Sequence, residues 1–326
     1  MSHFSFAFGI GSQSSQGEWL EVFYPQPILN PSVELVTVLT DVLGSQIATG
    51  NHALSIDAKQ ASALAKACTD AGELDQAKWL TQAANAGQPM VISLLETDSG
   101  PQTTPEVYLK LQLLSAGLKQ PNSMDLNGIF GLLPNVAWTN EGAIAIEDLT
   151  QRQMDARLRG ELLHVNAVDK FPRMADYAVP KGIRIGDASR VRLGAHVAEG
   201  TTVMHEGFIN FNAGTLGHGM IEGRISAGVT VGHNSDLGGG CSTMGTLSGG
   251  GKIVNSVGQD SLIGANAGMG IPIGDRCIIE AGLYITGGSK VALLDARNEL
   301  VDTVKAATLA GKPDLLFRRN SLNGRI

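Results

Sequence analysis

Of the acidic side chains in this sequence, Glu222 in the run MIEGRISAG is the one whose neighbours best suit chemistry. Gly223 lets backbone come close to a ligand, and Arg224 sets a guanidinium beside it. A carboxylate so placed can take a proton from an amine or attack an activated acyl carbon, provided its surroundings hold it in position. The competing reading is a solvated acid at a chain corner, paired with Arg224. A second set of candidates lies in the tail PDLLFRRNSLNGRI, where Arg318, Arg319 and Arg325 cluster. Guanidinium forks suit phosphate oxygens, although a basic tail is often only solvated.

Other chemistries find less support. Cys68, Cys241 and Cys277 are odd in number, lie far apart and form no CxxC, so neither a disulfide framework nor a zinc ribbon is expected. Three such thiols suit a reducing cytosol, and packing is the expected role of Cys277. His205, His218 and His233 lack the H-x-x-x-x-H pairing of the γ-type carbonic anhydrases, so they read as hydrogen-bonding corner residues. LSGGGK at 247–252 fails as a phosphate loop because Thr246 replaces its first glycine and Ile253 its Ser or Thr. It reads as a mobile loop at the mouth of a site.

The element that must position Glu222 announces itself by an apolar residue at every sixth position. Ile185, Val191, Val197, Val203 and Ile209 keep that step, as do Ile225, Val231 and Leu237, then Val257, Ile263 and Met269, then Ile273, Ile279, Ile285 and Val291. Six fits neither the helical period nor strand alternation. It fits a parallel β-helix, in which each hexapeptide supplies a short strand and a corner, and three make one coil of roughly 18 residues. A β-sandwich would space its strands about 8 to 12 residues apart. The step is lost from Ala213 to Ile225 and from Gly238 to Lys252, and it shortens to four between Met269 and Ile273. Interrupted corners are where a solenoid most often binds ligands.

The 326 residues allow two or three domains. With 41 glycines and 5% aromatics the composition suits a narrow solenoid. A formal charge of −7 leaves no global positive field for nucleic acid or an anionic membrane surface. The start MSHFSFAFGIGS lacks a basic n-region ahead of a long apolar core, and no apolar run approaches the ~20 residues that span a bilayer, so a cytoplasmic protein is expected.

Four regions follow. Residues 1–120 read as an α/β domain, with strands at 19–24 and 90–96 and a helix from Pro31 to Gly44. In it Asp57 and Gln60 make a capping box, Trp79 lies on a further helix, and Thr104–Pro105 start a helix with Val107, Leu111 and Leu114 on one face. Residues 121–180 read as a connecting region with a strand EGAIAIE and a solvated helix DLTQRQMDARLRGELL. The β-helix occupies 181–291, and 292–326 forms a hairpin turned at Ala296–Arg297–Asn298 and the basic tail. The expected fold class is mainly β, a left-handed parallel β-helix with an N-terminal α/β domain and a short C-terminal β extension.

The blocks HEGFINFNAG, EGRISAG, SDLGGG, MGTLSGGGK, IGANAGMGIPIGD, IEAGLYITGGSKV and LLFRRNS, from about Pro172 to Ser321, resemble the longer, actinobacterial and pseudomonad type of tetrahydrodipicolinate N-succinyltransferase. The resemblance implies a homotrimer with sites between neighbouring solenoids, and transfer of a succinyl group from succinyl-CoA to a cyclic dicarboxylate in the diaminopimelate and lysine pathway. It places the family's catalytic glutamate at Glu222. It lines the succinyl-CoA site with Arg224, Gly239, Ser242, Ala265, Glu280, Ala281 and Gly288, completed by Lys305, Arg318, Arg319, Asn320 and Ser321. It turns Asn210 and Asn212 toward the dicarboxylate.

Succinyl-CoA enters as a co-substrate, and no tightly bound cofactor is expected. The family's magnesium position matches Glu206, but its usual aspartate partner is Ser189 here, and a hard cation wants carboxylate oxygen. Two rival functions stay in view. An acetyltransferase acting on another amine would prefer acetyl-CoA. A binding solenoid without catalysis would release no CoA thiol and would tolerate Glu222→Gln.

Overall fold

The computed structural model describes residues 3–47, 49–250 and 252–326. The chain divides into two compact units, the first made of residues up to 113 with 124–172, the second of 114–123 with 173–326.

In the first unit an antiparallel sheet runs in the order Trp19–Phe23, Ser5–Gln13, Met90–Leu95, His52–Ile56, with Ile28–Leu29 also paired to Ser5–Gln13. Helices Val33–Leu43, Ala58–Asp70 and Leu74–Ala84 share a core with it, in which Phe6, Phe8, Leu39, Leu64, Leu80 and Ile92 are buried. The expected capping box is present: Asp57 caps Gln60, whose side chain returns to the Asp57 N–H. The helix Thr104–Ser115 departs from expectation in two ways. Its cap is Thr103, bonded to the Glu106 carboxylate, while the Thr104 hydroxyl donates to the Leu132 carbonyl. It also lacks a solvent face, because Val107 to Ser115 are all buried, Lys110 and Gln112 included. Lys110 Nζ is satisfied by Asp98 (2.5 Å) and by the carbonyls of Ser99 and Asp125 (2.6 and 2.8 Å).

Residues 124–172, expected within a connecting region, fall in this first unit. They hold a second antiparallel sheet, Gly142–Ala145, Val136–Thr139 and Val165–Asp169, on which the helix Ile146–Leu158 packs through Ala156.

The second unit is a parallel β-helix of three faces. Its first face stacks Ile185, Val203, Ile221, Leu237, Ile263, Ile279 and Phe317. The second stacks Val191, Ile209, Ile225, Thr243, Met269 and Ile285, and the third stacks Thr215, Val231, Val257 and Ile273. These side chains make one continuous core, and each Ile or Val taken from water contributes roughly 1.5–3 kcal/mol. Corners between faces carry left-handed residues such as Asn212, Asn234, Asp260 and Asn266, which tie each coil to the one before it.

The two lost stretches now have causes. Coils of 18 residues separate Ile185, Val203 and Ile221; the next, to Leu237, has 16; the one to Ile263 has 26. In the first stretch Thr215 and Ile221 keep the beat, and two residues are then dropped at the corner Glu222–Gly223. In the second, Thr243 keeps it, and extra residues leave the prism after the second face, bridged back at Thr246 and Val254. The segment 247–252, expected as a mobile loop, includes Gly251, which lies outside the described residues. After Val291 the hairpin Lys290–Leu294 and Leu300–Lys305 forms, turned by Asp295, Arg297 and Asn298, and Leu316–Phe317 rejoins the first face. Among the described residues, no helix is long and apolar enough to cross a membrane.

Candidate active site

Glu222 lies at the edge where the first face turns into the second. Three residues separate the anchors Ile221 and Ile225 there, where five separate Val203 from Ile209. The short corner is held on both sides: Glu222 N donates to Leu237 O (2.8 Å) and Arg224 N to Cys241 O (2.9 Å). Gly223 is dictated by this closeness, since a Cβ at that position would stand 2.2 Å from Cys241 Sγ. The half-buried side chain of Glu222 passes over Gly239 of the next coil, whose own Cβ would lie 3.4 Å from Glu222 Oε2. Its carboxylate has no hydrogen-bond partner among the described residues.

The same edge gathers most of the residues expected to bind. Arg224 donates through Nε and Nη2 to Ser242 Oγ (3.1 and 2.8 Å), one coil further on. Gly239, Ala265 and Ala281 follow one another at successive corners, and the backbone N–H of each donates to no acceptor among the described residues. These residues, which lack functional side chains, thus present a ladder of free donors. Glu280 Oε2 accepts from Arg319 N (2.7 Å), so Arg318 to Ser321 cap this edge. Asn320 Oδ1 is itself engaged by Leu322 and Asn323 N–H in a turn.

Four expected positions lie elsewhere. Gly288 and Lys305 stand across the second face at the next edge, where Lys305 pairs with Lys290. Asn212 is a left-handed corner whose amide is bonded to Asn122, so its polar atoms are already engaged. Asn210 Oδ1 accepts from Arg192 Nη1 (3.2 Å).

A cleft of about 340 Å³ opens next to the Glu222 corner, which borders it through Gly223 and Arg224; its other lining residues are Arg190, Glu206, Phe208, Gly240 and Cys241. The size is that of a small-ligand site. Arg190 and Phe208 were not among the expected residues, yet the signal is in the beat: Phe208 follows Arg190 by 18 residues, and Arg224 follows Phe208 by 16, one coil each. Cys241 at this cleft is buried, and burial pushes its thiol up to about 12, which leaves it protonated and unreactive.

Glu206, the expected magnesium position, lines this cleft. Ser189 Oγ donates to Asp187 Oδ1 (2.7 Å), Arg190 Nη2 donates to the Glu206 carbonyl (2.7 Å), and no three His, Cys, Asp or Glu residues converge among the described residues. The His218 and His233 rings lie 6.3 Å apart between centroids, tilted by 54°.

The family model described as the middle domain of tetrahydrodipicolinate N-succinyltransferase matches residues 133–173, on the second antiparallel sheet. The hexapeptide repeat of succinyl-transferase matches residues 254–287, on the prism. A 2,3,4,5-tetrahydropyridine-2,6-dicarboxylate N-succinyltransferase of Pseudomonas putida is 62% identical over 323 residues, 99% of this chain and 93% of the relative. The chain belongs to the tetrahydrodipicolinate N-succinyltransferase family. It is therefore an acyltransferase. A member from Vibrio cholerae is 56% identical over 326 residues, 100% of this chain and 94% of its own. In three dimensions, a Campylobacter jejuni crystal structure, provisionally described as a 2,3,4,5-tetrahydropyridine-2-carboxylate N-succinyltransferase, superposes with a TM-score of 0.91 at 31% identity. The match covers 99% of this chain and 91% of that one.

Proposed function

We propose that the shortened corner at Glu222 is where this chain carries out its family's reaction. Succinyl-CoA gives its acyl group to tetrahydrodipicolinate, one water is consumed, and N-succinyl-2-amino-6-oxopimelate and CoA result, a step toward diaminopimelate and lysine. Hydration of the ring imine leaves a secondary amine whose nitrogen attacks the thioester carbon. The C–S bond breaks, the N–H proton passes to Glu222 and on to the CoA thiolate, and the ring opens at its hydroxyl-bearing carbon to the ketone. The observation that carries this reading is the Glu222 carboxylate lying over Gly239, without a partner among the described residues and at the foot of a ladder of free N–H groups. The Gly239 N–H is the donor for the developing oxyanion.

Ala265 and Ala281 leave room for the pantetheine arm, and Arg318 and Arg319 reach its phosphates. The working assembly is a homotrimer of left-handed coils in the cytoplasm, with Gly288 and Lys305 meeting the same ligand from a neighbouring copy. Support for self-association comes from an exposed apolar row, Leu262, Ile278 and Leu316, on neighbouring strands of the first face. No tightly bound cofactor enters this account, and no step is assigned to a metal at Glu206.

The test is release of CoA thiol from succinyl-CoA and from acetyl-CoA, each with and without tetrahydrodipicolinate. Release that needs the acceptor and favours succinyl-CoA is expected. Equal use of acetyl-CoA, or no acceptor-dependent release, would overturn the reading. Acylated Glu222 trapped from succinyl-CoA alone would replace direct transfer with a mixed anhydride.

A further inference from the structure

We propose that Arg190 holds a carboxylate of the acceptor, and so selects a dicarboxylate ring over a monocarboxylate one. The inference rests on Glu222 being the catalytic group, because the cleft borders the Glu222 corner through Gly223, Arg224 and Gly240.

The acceptor brings two negative charges to a protein whose own net charge is −7, so local cations must meet them. Two guanidinium groups line the cleft, Arg190 and Arg224. Arg224 gives Nε and Nη2 to Ser242, on the side where the free N–H ladder begins. Arg190 gives Nη2 to the Glu206 carbonyl (2.7 Å) and a longer Nε contact to the Gly207 carbonyl (3.5 Å). Two main-chain acceptors thus fix the plane of its guanidinium, while Nη1 has no partner among the described residues. Neither arginine forms a salt bridge to a described carboxylate.

A half-buried arginine oriented by backbone and left with free N–H is pre-organised for a carboxylate. Glu206 lines the same cleft and Asp187 lies close enough to act on Arg190 electrostatically, so a carboxylate gains only where N–H groups point at it. Phe208, between the two arginines in the stack of coils, offers a wall to the ring. The cleft volume of about 340 Å³ accommodates a ligand of this size.

The test compares the intact protein with Arg190→Gln and Arg190→Lys. In steady state, R190Q is expected to raise KM for tetrahydrodipicolinate by about 10- to 100-fold while KM for succinyl-CoA stays within about twofold. R190K should recover part of the loss. Calorimetric binding of piperidine-2,6-dicarboxylate and piperidine-2-carboxylate gives a readout that needs no turnover. The unaltered protein should favour the dicarboxylate by about tenfold or more, and R190Q should lose most of that preference. Matching rises in both KM values, an unchanged preference in R190Q, or a change in its oligomeric state by light scattering would overturn the proposal. Should the unaltered protein show no acceptor-dependent CoA release, the catalytic reading fails, while the calorimetric preference still decides the role of Arg190.

Discussion

Gly239 lies directly beneath the carboxylate of Glu222: a methyl group there would stand 3.4 Å from Glu222 Oε2, in van der Waals contact. In the proposed reaction, the absence of a side chain leaves the space in which acyl carbon, amine and carboxylate meet. Gly239→Ala should therefore fold normally, with a melting temperature within a degree or two, yet lower kcat about tenfold through misplacement of the reacting groups. Gly239→Val should lower it further. Thiol-release kinetics and thermal melts on the same preparations check both halves.

Glu280 holds the tail to the prism by accepting the Arg319 N–H at 2.7 Å. Glu280→Ala removes that acceptor from an exposed site, so global stability should change by less than about 1 kcal/mol. Arg319, and Arg318 beside it, would lose that tie to the prism. KM for succinyl-CoA should rise several-fold and KM for the acceptor should stay level, as measured by varying each substrate in turn.

Burial pushes the Cys241 thiol from 9.0 up to about 12, and the Cys68 thiol, with help from Glu73, up to about 11. Unfolding lets both ionise near their ordinary value, so above pH 9 the unfolded chain binds fewer protons than the folded one and stability falls as pH rises toward 11. The buried phenol of Tyr24, also raised, acts with the same sign. Melting temperature should be flat in this respect below pH 8 and decline from pH 9 to 11, less steeply in Cys241→Ala. Iodoacetamide at pH 8 should leave the folded protein active and label its cysteines only after denaturation.

What the sequence made legible followed from repetition. Fifteen apolar anchors on a six-residue step define the prism because each points into one narrow core. The beat faded where a rung is polar, as at Thr215 and Thr243, whose hydroxyls are satisfied inside the coil: Thr215 Oγ1 shares a hydrogen bond with Thr201 Oγ1, and Thr243 Oγ1 donates to Arg224 O. It also shifted where the corner lost two residues at Glu222–Gly223. Glu222 was thus visible as an interruption, while the cleft beside it was not, because Arg190 and Phe208 meet Arg224 only after the coils are stacked. The helix Thr104–Ser115 shows the opposite limit. Lys110 and Gln112 look like a solvent face in one dimension, yet Lys110 Nζ finds Asp98, Ser99 O and Asp125 O, and the Gln112 amide pairs with Tyr24 N and Val22 O.

Glu222→Gln tests the central claim most directly, because it keeps the shape of the corner and removes only the proton-accepting charge. Turnover with saturating succinyl-CoA and tetrahydrodipicolinate should fall about 100- to 10,000-fold, with succinyl-CoA binding by calorimetry and the melting temperature nearly unchanged. Turnover within a few-fold of the unaltered protein would contradict the account.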